Sequence, residues 1–158
     1  MQRFLLIGFL ACSLTSFAQN SQDEEAIKKS IVRFNFAAKN SNHNRLISFI
    51  SPLPYTRILF FQETKDGMKA IAYEGWAQIE KFIQTNPDSV LKRADRVEYG
   101  NWQFTPMSSD YYTVTCSVKY SARLDMWAQK TRQTLLMQRM GDSWKLISLT
   151  SVPLSNQS

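Results

Sequence analysis

Residues 135–146 read LLMQRMGDSWKL, and this stretch decides the fold. Two strand-like runs flank Gly141-Asp142, which is typical of a two-residue hairpin turn. The turn predicts three cross-strand pairs: Arg139 with Trp144, Met137 with Leu146, and Leu135 with Ser148. Residues opposite each other share a face of a sheet. We expect this face to point inward because it carries Trp144; the reverse assignment of the two faces is the alternative.

The preceding strand alternates clearly between apolar and polar residues from Tyr111 to Ala122. Its apolar positions are Tyr112, Val114, Cys116, Val118 and Tyr120. Such alternation predicts a strand that is buried on one side and wet on the other. A further strand is predicted over Val97–Phe104, so four long strands end the chain.

The first half of the chain predicts helices and one hairpin. Apolar residues at Ile27, Ile31, Phe34 and Ala38 follow helical spacing after a capping box at Ser21–Glu24. A short second helix follows and ends before Pro52. Thr56–Gln62 and Met68–Tyr73 form a hairpin around Lys65-Asp66-Gly67, and Gly75 opens a third helix that closes at Asn86-Pro87.

This order resembles the nuclear-transport-factor-2-like superfamily, in particular its SnoaL-like bacterial branch. The resemblance rests on the amphipathic first helix, the helix opened by Gly75 after a hairpin, and the final Gly-Asp hairpin with Trp144. It implies an α+β fold of cystatin-like type, in which a cone-shaped, curved antiparallel sheet wraps around N-terminal helices. Such a cone encloses a pocket, and members of the superfamily include isomerases, dehydratases, cyclases, binding proteins and dimerisation modules.

Strand parity places a set of side chains toward this pocket. The predicted lining residues are Phe34, Trp102, Phe104, Tyr112, Cys116, Tyr120, Met137, Arg139, Trp144 and Ser148. Apolar walls with a few polar groups are typical of small-molecule sites. The opposite face carries Leu136, Ile147 and Leu149, which predict a homodimer interface because a contiguous apolar patch is rarely left bare.

The sequence favours binding over catalysis. Proton transfer needs a titratable group beside the substrate, whereas His43 lies in a polar run and Asp110 and Asp142 lie in turns. Asp125 and Glu74 are the best-placed carboxylates, and we assign no catalytic residue, metal ligand or cofactor. We therefore favour a non-catalytic domain that binds a small apolar or amphipathic ligand or a partner protein. The alternatives are a small acid–base enzyme of the isomerase, dehydratase or cyclase type and a structural dimer with a filled cone.

The formal net charge of +6 and the pI of about 9.4 raise the question of nucleic acid. Basic residues are interspersed with acids, so we interpret them as a solvated surface and expect no nucleic-acid partner.

The N-terminus predicts an export signal over residues 1–18 and a single domain over residues 19–158. Arg3 precedes an uncharged apolar run, Phe4–Ala11, and Ser16-Phe17-Ala18 has small residues at the cleavage positions. The run is too short to span a bilayer, which takes about 20 residues, and no later segment of the mature chain is predicted to span one. We expect a periplasmic or secreted protein without a lipid on Cys12, since the residues before this cysteine fit a lipoprotein box poorly.

Export predicts a shortened polypeptide in the native envelope. Intact-mass spectrometry of the purified protein is expected to show a chain that begins at Gln19. A mass that includes Met1, or a lipid on Cys12, would contradict this prediction.

Overall fold

The computed structural model describes residues 3–85, 94–123 and 127–154, with side chains from residue 20 onward except those of residues 63 and 127. Its helices are α1 (Arg3–Lys39), α2 (His43–Ser48) and α3 (Trp76–Thr85). Its strands are β1 (Arg57–Thr64), β2 (Gly67–Glu74), β3 (Arg96–Ser108), β4 (Tyr111–Ala122), β5 (Trp127–Met140) and β6 (Ser143–Pro153). The predicted order of elements is therefore confirmed, while the predicted end of α3 at Asn86-Pro87 lies outside the described residues.

The strands form one six-stranded sheet in the order β2-β1-β6-β5-β4-β3, with β2 and β3 at its open edges. Neighbours pair antiparallel except β1 and β6, which run parallel. The sheet is thus mixed, with antiparallel pairing everywhere except at this one pair. Helix α3 connects β2 and β3, which run in the same direction. The chain then reverses direction at each of the next three strands, so β6 runs parallel to β1.

The helices cover one face of the sheet, which we call the inner face. Ile27 and Ile31 of α1 are buried against it, together with Ile79 and Ile83 of α3. The strands contribute the other buried members of this core: Ile58, Tyr112, Val114, Cys116, Val118, Tyr120, Leu135, Met137, Trp144, Leu146 and Leu149. Trp144 is 5% exposed, so the inward assignment of its face is correct.

A bulge in β6 changes the predicted register beyond Leu146. Arg139 pairs with Trp144 and Met137 with Leu146 as expected, but Leu135 pairs with Leu149, and Ser148 pairs with Leu136. The extra residue is Ile147, since two residues of the bulged strand then oppose one on its partner.

Because of the bulge, the predicted pocket lining and the predicted dimer patch are each partly wrong. Ser148 lies on the outer face rather than in the pocket lining, and Leu149 is buried in the core at 3% exposure. Ile147 is also buried at 3% exposure, so only Leu136 of the predicted dimer patch remains half-buried on the outer face.

Helix α1 begins at Arg3, so the predicted cap at Ser21 lies inside a continuous helix of the full chain. The helix ends as expected before Asn40–Asn42, where Ser41 adopts a φ of 52° and breaks the helical path.

Within the described residues, no helix combines the length and the apolar character needed to cross a membrane.

Trp144 predicts a strong dependence of stability on one side chain. Its ring meets Tyr112 edge-on, with centroids 5.4 Å apart. Trp144→Ala is expected to lower the free energy of unfolding by about 3–5 kcal/mol, because removal of a buried Trp leaves a cavity. Urea denaturation measures the effect, and Met68→Ala, at a side chain that is 52% exposed, is the matched control. Equal midpoints for both variants would refute the prediction.

Candidate ligand-binding site

The predicted pocket residues other than Ser148 lie on or against the inner face. Tyr112, Cys116, Tyr120, Met137 and Trp144 are buried, and Phe34, Trp102, Phe104 and Arg139 are half-buried. A cavity of about 10 Å³ lies between α1 and the sheet, lined by Ser30, Ile31, Phe34, Phe49, Leu135, Met137 and Leu146. That volume is close to the minimum for one water molecule.

One end of the inner face holds an ion pair between Asp23 of α1 and Arg139 of β5. Arg139 Nη2 lies 2.5 Å from Asp23 Oδ1, and Arg139 Nε lies 3.9 Å from Asp110 Oδ1. The guanidinium also lies over the ring of Trp144, 4.8 Å from its centroid. Arg139 is thus placed inward as predicted, but its charge is neutralised and it fastens α1 to the β5–β6 hairpin.

The opposite end of the inner face holds a cluster of neutral polar side chains. Gln133 Nε2 donates a hydrogen bond of 2.9 Å to the hydroxyl of Tyr120. Asn35 of α1 lies beside the hydroxyl of Tyr99. Thr131 lies beside Tyr120 in the same cluster. We call these five residues the polar cluster.

Burial keeps the titratable members of this region uncharged. It raises the pKa of Tyr99 from 10.0 to about 12, although the neighbouring Asn35 opposes the shift. Burial also raises the pKa of Tyr120, and it raises the pKa of the Cys116 thiol to about 12. A thiol that stays protonated is a poor nucleophile, so Cys116 acts as a small core residue.

Aromatic side chains extend from the polar cluster along edge strand β3. The rings of Tyr99 and Trp102 lie 5.7 Å apart, and those of Trp102 and Phe104 lie 5.8 Å apart, with interplanar angles of 22° and 10°. Lys28 Nζ of α1 lies 5.5 Å from the centroid of Phe104. We call these three rings the aromatic row. All three side chains are half-buried.

The carboxylates considered for catalysis are not on the inner face where the structure describes them. Glu74 is exposed and pairs with Arg57 at 3.0 Å, and Asp125 lies outside the described residues. His43 is the first residue of α2, half-buried at the end of the polar loop. Over the described part of the chain, no group of three or more His, Cys, Asp or Glu side chains is arranged to hold a metal ion.

Sequence reasoning missed Asn35, Thr131 and Gln133, which are 3%, 6% and 5% exposed. The sequence signal for these residues was a polar side chain at a position where the helix or strand pattern predicts a buried apolar one. Thr131 and Gln133 have the strand parity of Leu135, and Asn35 follows Ile31 by one helical turn.

No protein-family model matches the chain, and no curated protein matches it. Solved structures do match it. A protein of unknown function with a cystatin-like fold from Nostoc punctiforme has a TM-score of 0.67 at 12% identity, over 85% of this chain and 93% of that one.

Two further structures match over similar lengths. An NTF-2-like protein of unknown function from Shewanella oneidensis has a TM-score of 0.59 at 13% identity, over 81% of this chain and 97% of that one. A ketosteroid isomerase-like protein from Erwinia carotovora atroseptica has a TM-score of 0.57 at 10% identity, over 83% and 95%. The chain therefore has the nuclear-transport-factor-2-like, cystatin-like fold, as the resemblance predicted, and the SnoaL-like branch stays a prediction.

The raised pKa of Tyr99 predicts a loss of stability in alkali. A phenol whose folded pKa exceeds its unfolded value contributes fully below the unfolded pKa of 10.0, and that contribution disappears as the pH rises toward about 12. Tyr99→Phe is expected to make the free energy of unfolding fall less steeply over this range. Denaturation at a series of pH values measures the slope, with Tyr55→Phe, at an exposed tyrosine, as the control. Identical slopes for Tyr99→Phe and the wild type would contradict the assignment.

Proposed function

We propose that this chain is an exported, non-catalytic domain that binds a small apolar or amphipathic molecule on its inner face. The observation that carries the proposal is the combination of an aromatic row with a buried cluster of neutral hydrogen-bonding groups. Small-molecule sites characteristically join apolar walls to a few placed polar groups. Export is supported by the charged, apolar and small-residue segments within residues 1–18.

The charge states on the inner face favour binding over acid–base catalysis. A general base works best when its pKa lies near the operating pH, whereas the pKa values of Tyr99 and Cys116 are raised to about 12. Asp23 and Asp110, two carboxylates at this face, both lie against the guanidinium of Arg139. One structural neighbour is named as ketosteroid isomerase-like. That name describes the neighbour, and we propose no isomerase activity for this chain.

The tight packing beside Phe34 sets a condition for binding. Pockets for drug-sized ligands enclose roughly 300–1,000 Å³, far more than the cavity of about 10 Å³ found there. A ligand bound beside Phe34 would therefore have to displace side chains, whereas the aromatic row on edge strand β3 is already half-buried and open to contact.

The same small cavity favours a second candidate, a structural dimer with a filled cone. Its interface would use the outer face around Leu136, where the side chains are only half-buried. Isologous pairing about a two-fold axis is the commonest way for a soluble domain to cover such a face.

A ligand screen by thermal denaturation distinguishes the two candidates. A ligand at a hundred times its Kd stabilises the folded state by about 2.7 kcal/mol, which raises the Tm by several degrees. Trp102→Ala is expected to reduce this shift, whereas Tyr55→Ala, at a side chain that is 62% exposed, is expected to keep it. If no apolar or amphipathic compound raises the Tm while light scattering gives a dimer mass, the structural dimer replaces the binding domain.

A further inference from the structure

Helix α1 carries two exposed apolar side chains on the side that faces away from the sheet. Ile27 and Ile31 pack against the inner face, and Phe36 follows Ile27 by about two and a half turns, which places it on the opposite side of the helix. Phe36 is 60% exposed, and Val32 is 42% exposed. Residues four apart are neighbours on a helix surface, so these two side chains adjoin each other.

Basic side chains flank this apolar pair. Lys29 and Arg33 are exposed, and their spacing from Phe36, about two turns and three residues, places them on its side of the helix. Lys39 follows Phe36 by three residues, and its ammonium donates to the backbone carbonyl of Asp95 at 2.9 Å. That acceptor is uncharged, so it does not neutralise the lysine. We call this surface the basic ridge, and its members are Lys29, Val32, Arg33, Phe36 and Lys39.

No carboxylate of α1 balances the charge of the basic ridge. The acidic residues of this helix all precede the ridge, and residues 26–39 contain none. Among the ion pairs formed by the described residues, none includes Lys29 or Arg33. The ridge therefore combines positive charge with exposed apolar side chains, and its complement is an anionic surface that also accepts apolar groups.

The shape and charge of the ridge disfavour a protein or nucleic-acid partner. Two-fold pairing with a second copy would place Lys29 and Arg33 of one copy near those of the other, and like charges repel. A stable protein interface buries about 800 Å² on each partner, whereas the ridge is roughly 16 Å long and 10 Å wide. A nucleic-acid backbone would pair with the cations but would leave the two apolar side chains in water.

An anionic bilayer matches both parts of the ridge. A helix that lies in the membrane interface buries its apolar side chains at the boundary between headgroups and acyl chains, while its basic side chains remain among the headgroups. The long side chains of Lys and Arg extend outward to keep their charges in the polar layer. Because the opposite side of α1 stays packed on the sheet, the ridge can reach this boundary without any opening of the core.

We infer that the basic ridge docks the folded domain on a bilayer of anionic phospholipids, with its two apolar side chains in the interface and its three basic side chains among the headgroups. This inference goes beyond the proposed function, because it concerns the side of α1 that faces away from the inner face. Docking of this kind does not depend on a ligand at the aromatic row or the polar cluster.

Cosedimentation with lipid vesicles tests the inference. Vesicles of equimolar phosphatidylcholine and phosphatidylglycerol supply the anionic surface, and vesicles of phosphatidylcholine alone are the neutral comparison. Each basic residue near an anionic surface raises affinity about fivefold, so binding to the mixed vesicles is expected to be at least about tenfold tighter. High salt is expected to weaken this binding because it screens the charges. The sample is the protein purified from its native source, and an export signal that remains uncleaved is present equally in every variant.

Two charge variants test the location of the contact. The double variant Lys29→Gln, Arg33→Gln is expected to lower the affinity for the mixed vesicles about twentyfold. The control double variant Lys65→Gln, Lys69→Gln removes the same net charge from exposed positions of the β1–β2 hairpin. It is expected to leave the affinity nearly unchanged, because charges more than a Debye length from the bilayer are screened.

An apolar variant tests the contact with the membrane interface. Phe36→Ser is expected to lower the affinity for the mixed vesicles about tenfold, because the ring no longer leaves water on binding. Tyr55→Ser, at a side chain outside α1 that is 62% exposed, is the control and is expected to keep the affinity. Both side chains are exposed, so the Tm of each variant is expected to stay close to that of the wild type.

Each outcome supports or overturns the inference. Losses in the ridge variants with retention in both controls support it. Equal losses in the two charge variants would indicate a general attraction of a basic protein and would overturn the docking face. Unchanged binding of Phe36→Ser would overturn the apolar contact, and with it the proposed docking. Absence of binding to the mixed vesicles would overturn the bilayer in favour of an acidic protein or a nucleic acid.

Discussion

The bulge at Ile147 is the constraint on which the arrangement of the inner face depends. Before it, Trp144 and Leu146 point into the core, and after it Leu149 does so as well. Strict alternation could not place all three on one face, because a shift of one residue moves every later side chain to the opposite face. The extra residue resets the phase, so β6 can pair with β5 on one side and β1 on the other while burying apolar side chains along most of its length.

Much of the fold was predictable because its patterns are local. The Gly141-Asp142 turn determined the first pairs of the hairpin, and the apolar positions of β4 identified its buried face. The parallel pairing of β1 with β6 was not predictable in this way, since it depends on the direction in which α3 returns the chain. The bulge was missed for a related reason: the consecutive apolar residues Leu146 and Ile147 fit either an apolar outer face or a bulge, and only the neighbouring strands distinguish the two.

The site was less predictable than the fold because its distinguishing residues look like errors in an apolar pattern. Parity identified Tyr120 and Trp102 as inward-facing, yet Asn35 and Thr131 were passed over as polar residues in otherwise regular elements. Consistency across levels is the rule for a foldable sequence, and departures from it concentrate at functional sites. The polar cluster is such a departure, because its neutral polar groups are buried in the core. The charged residues Asp23 and Arg139, in contrast, pair with each other.

The beginning of α1 relates this interior to the proposed export. In the full chain the helix runs continuously from Arg3, and the capping signal at Ser21 has no terminus to cap. Cleavage after Ala18 would create a terminus immediately before it, where a serine can accept from the free backbone N–H groups and acidic residues interact favourably with the helix dipole. Asp23 would then lie in the first turn while still bound to Arg139. A sequence feature without a role in the full chain would thus acquire one in the mature chain, and the ion pair would hold the new helix end against the sheet that carries the proposed site.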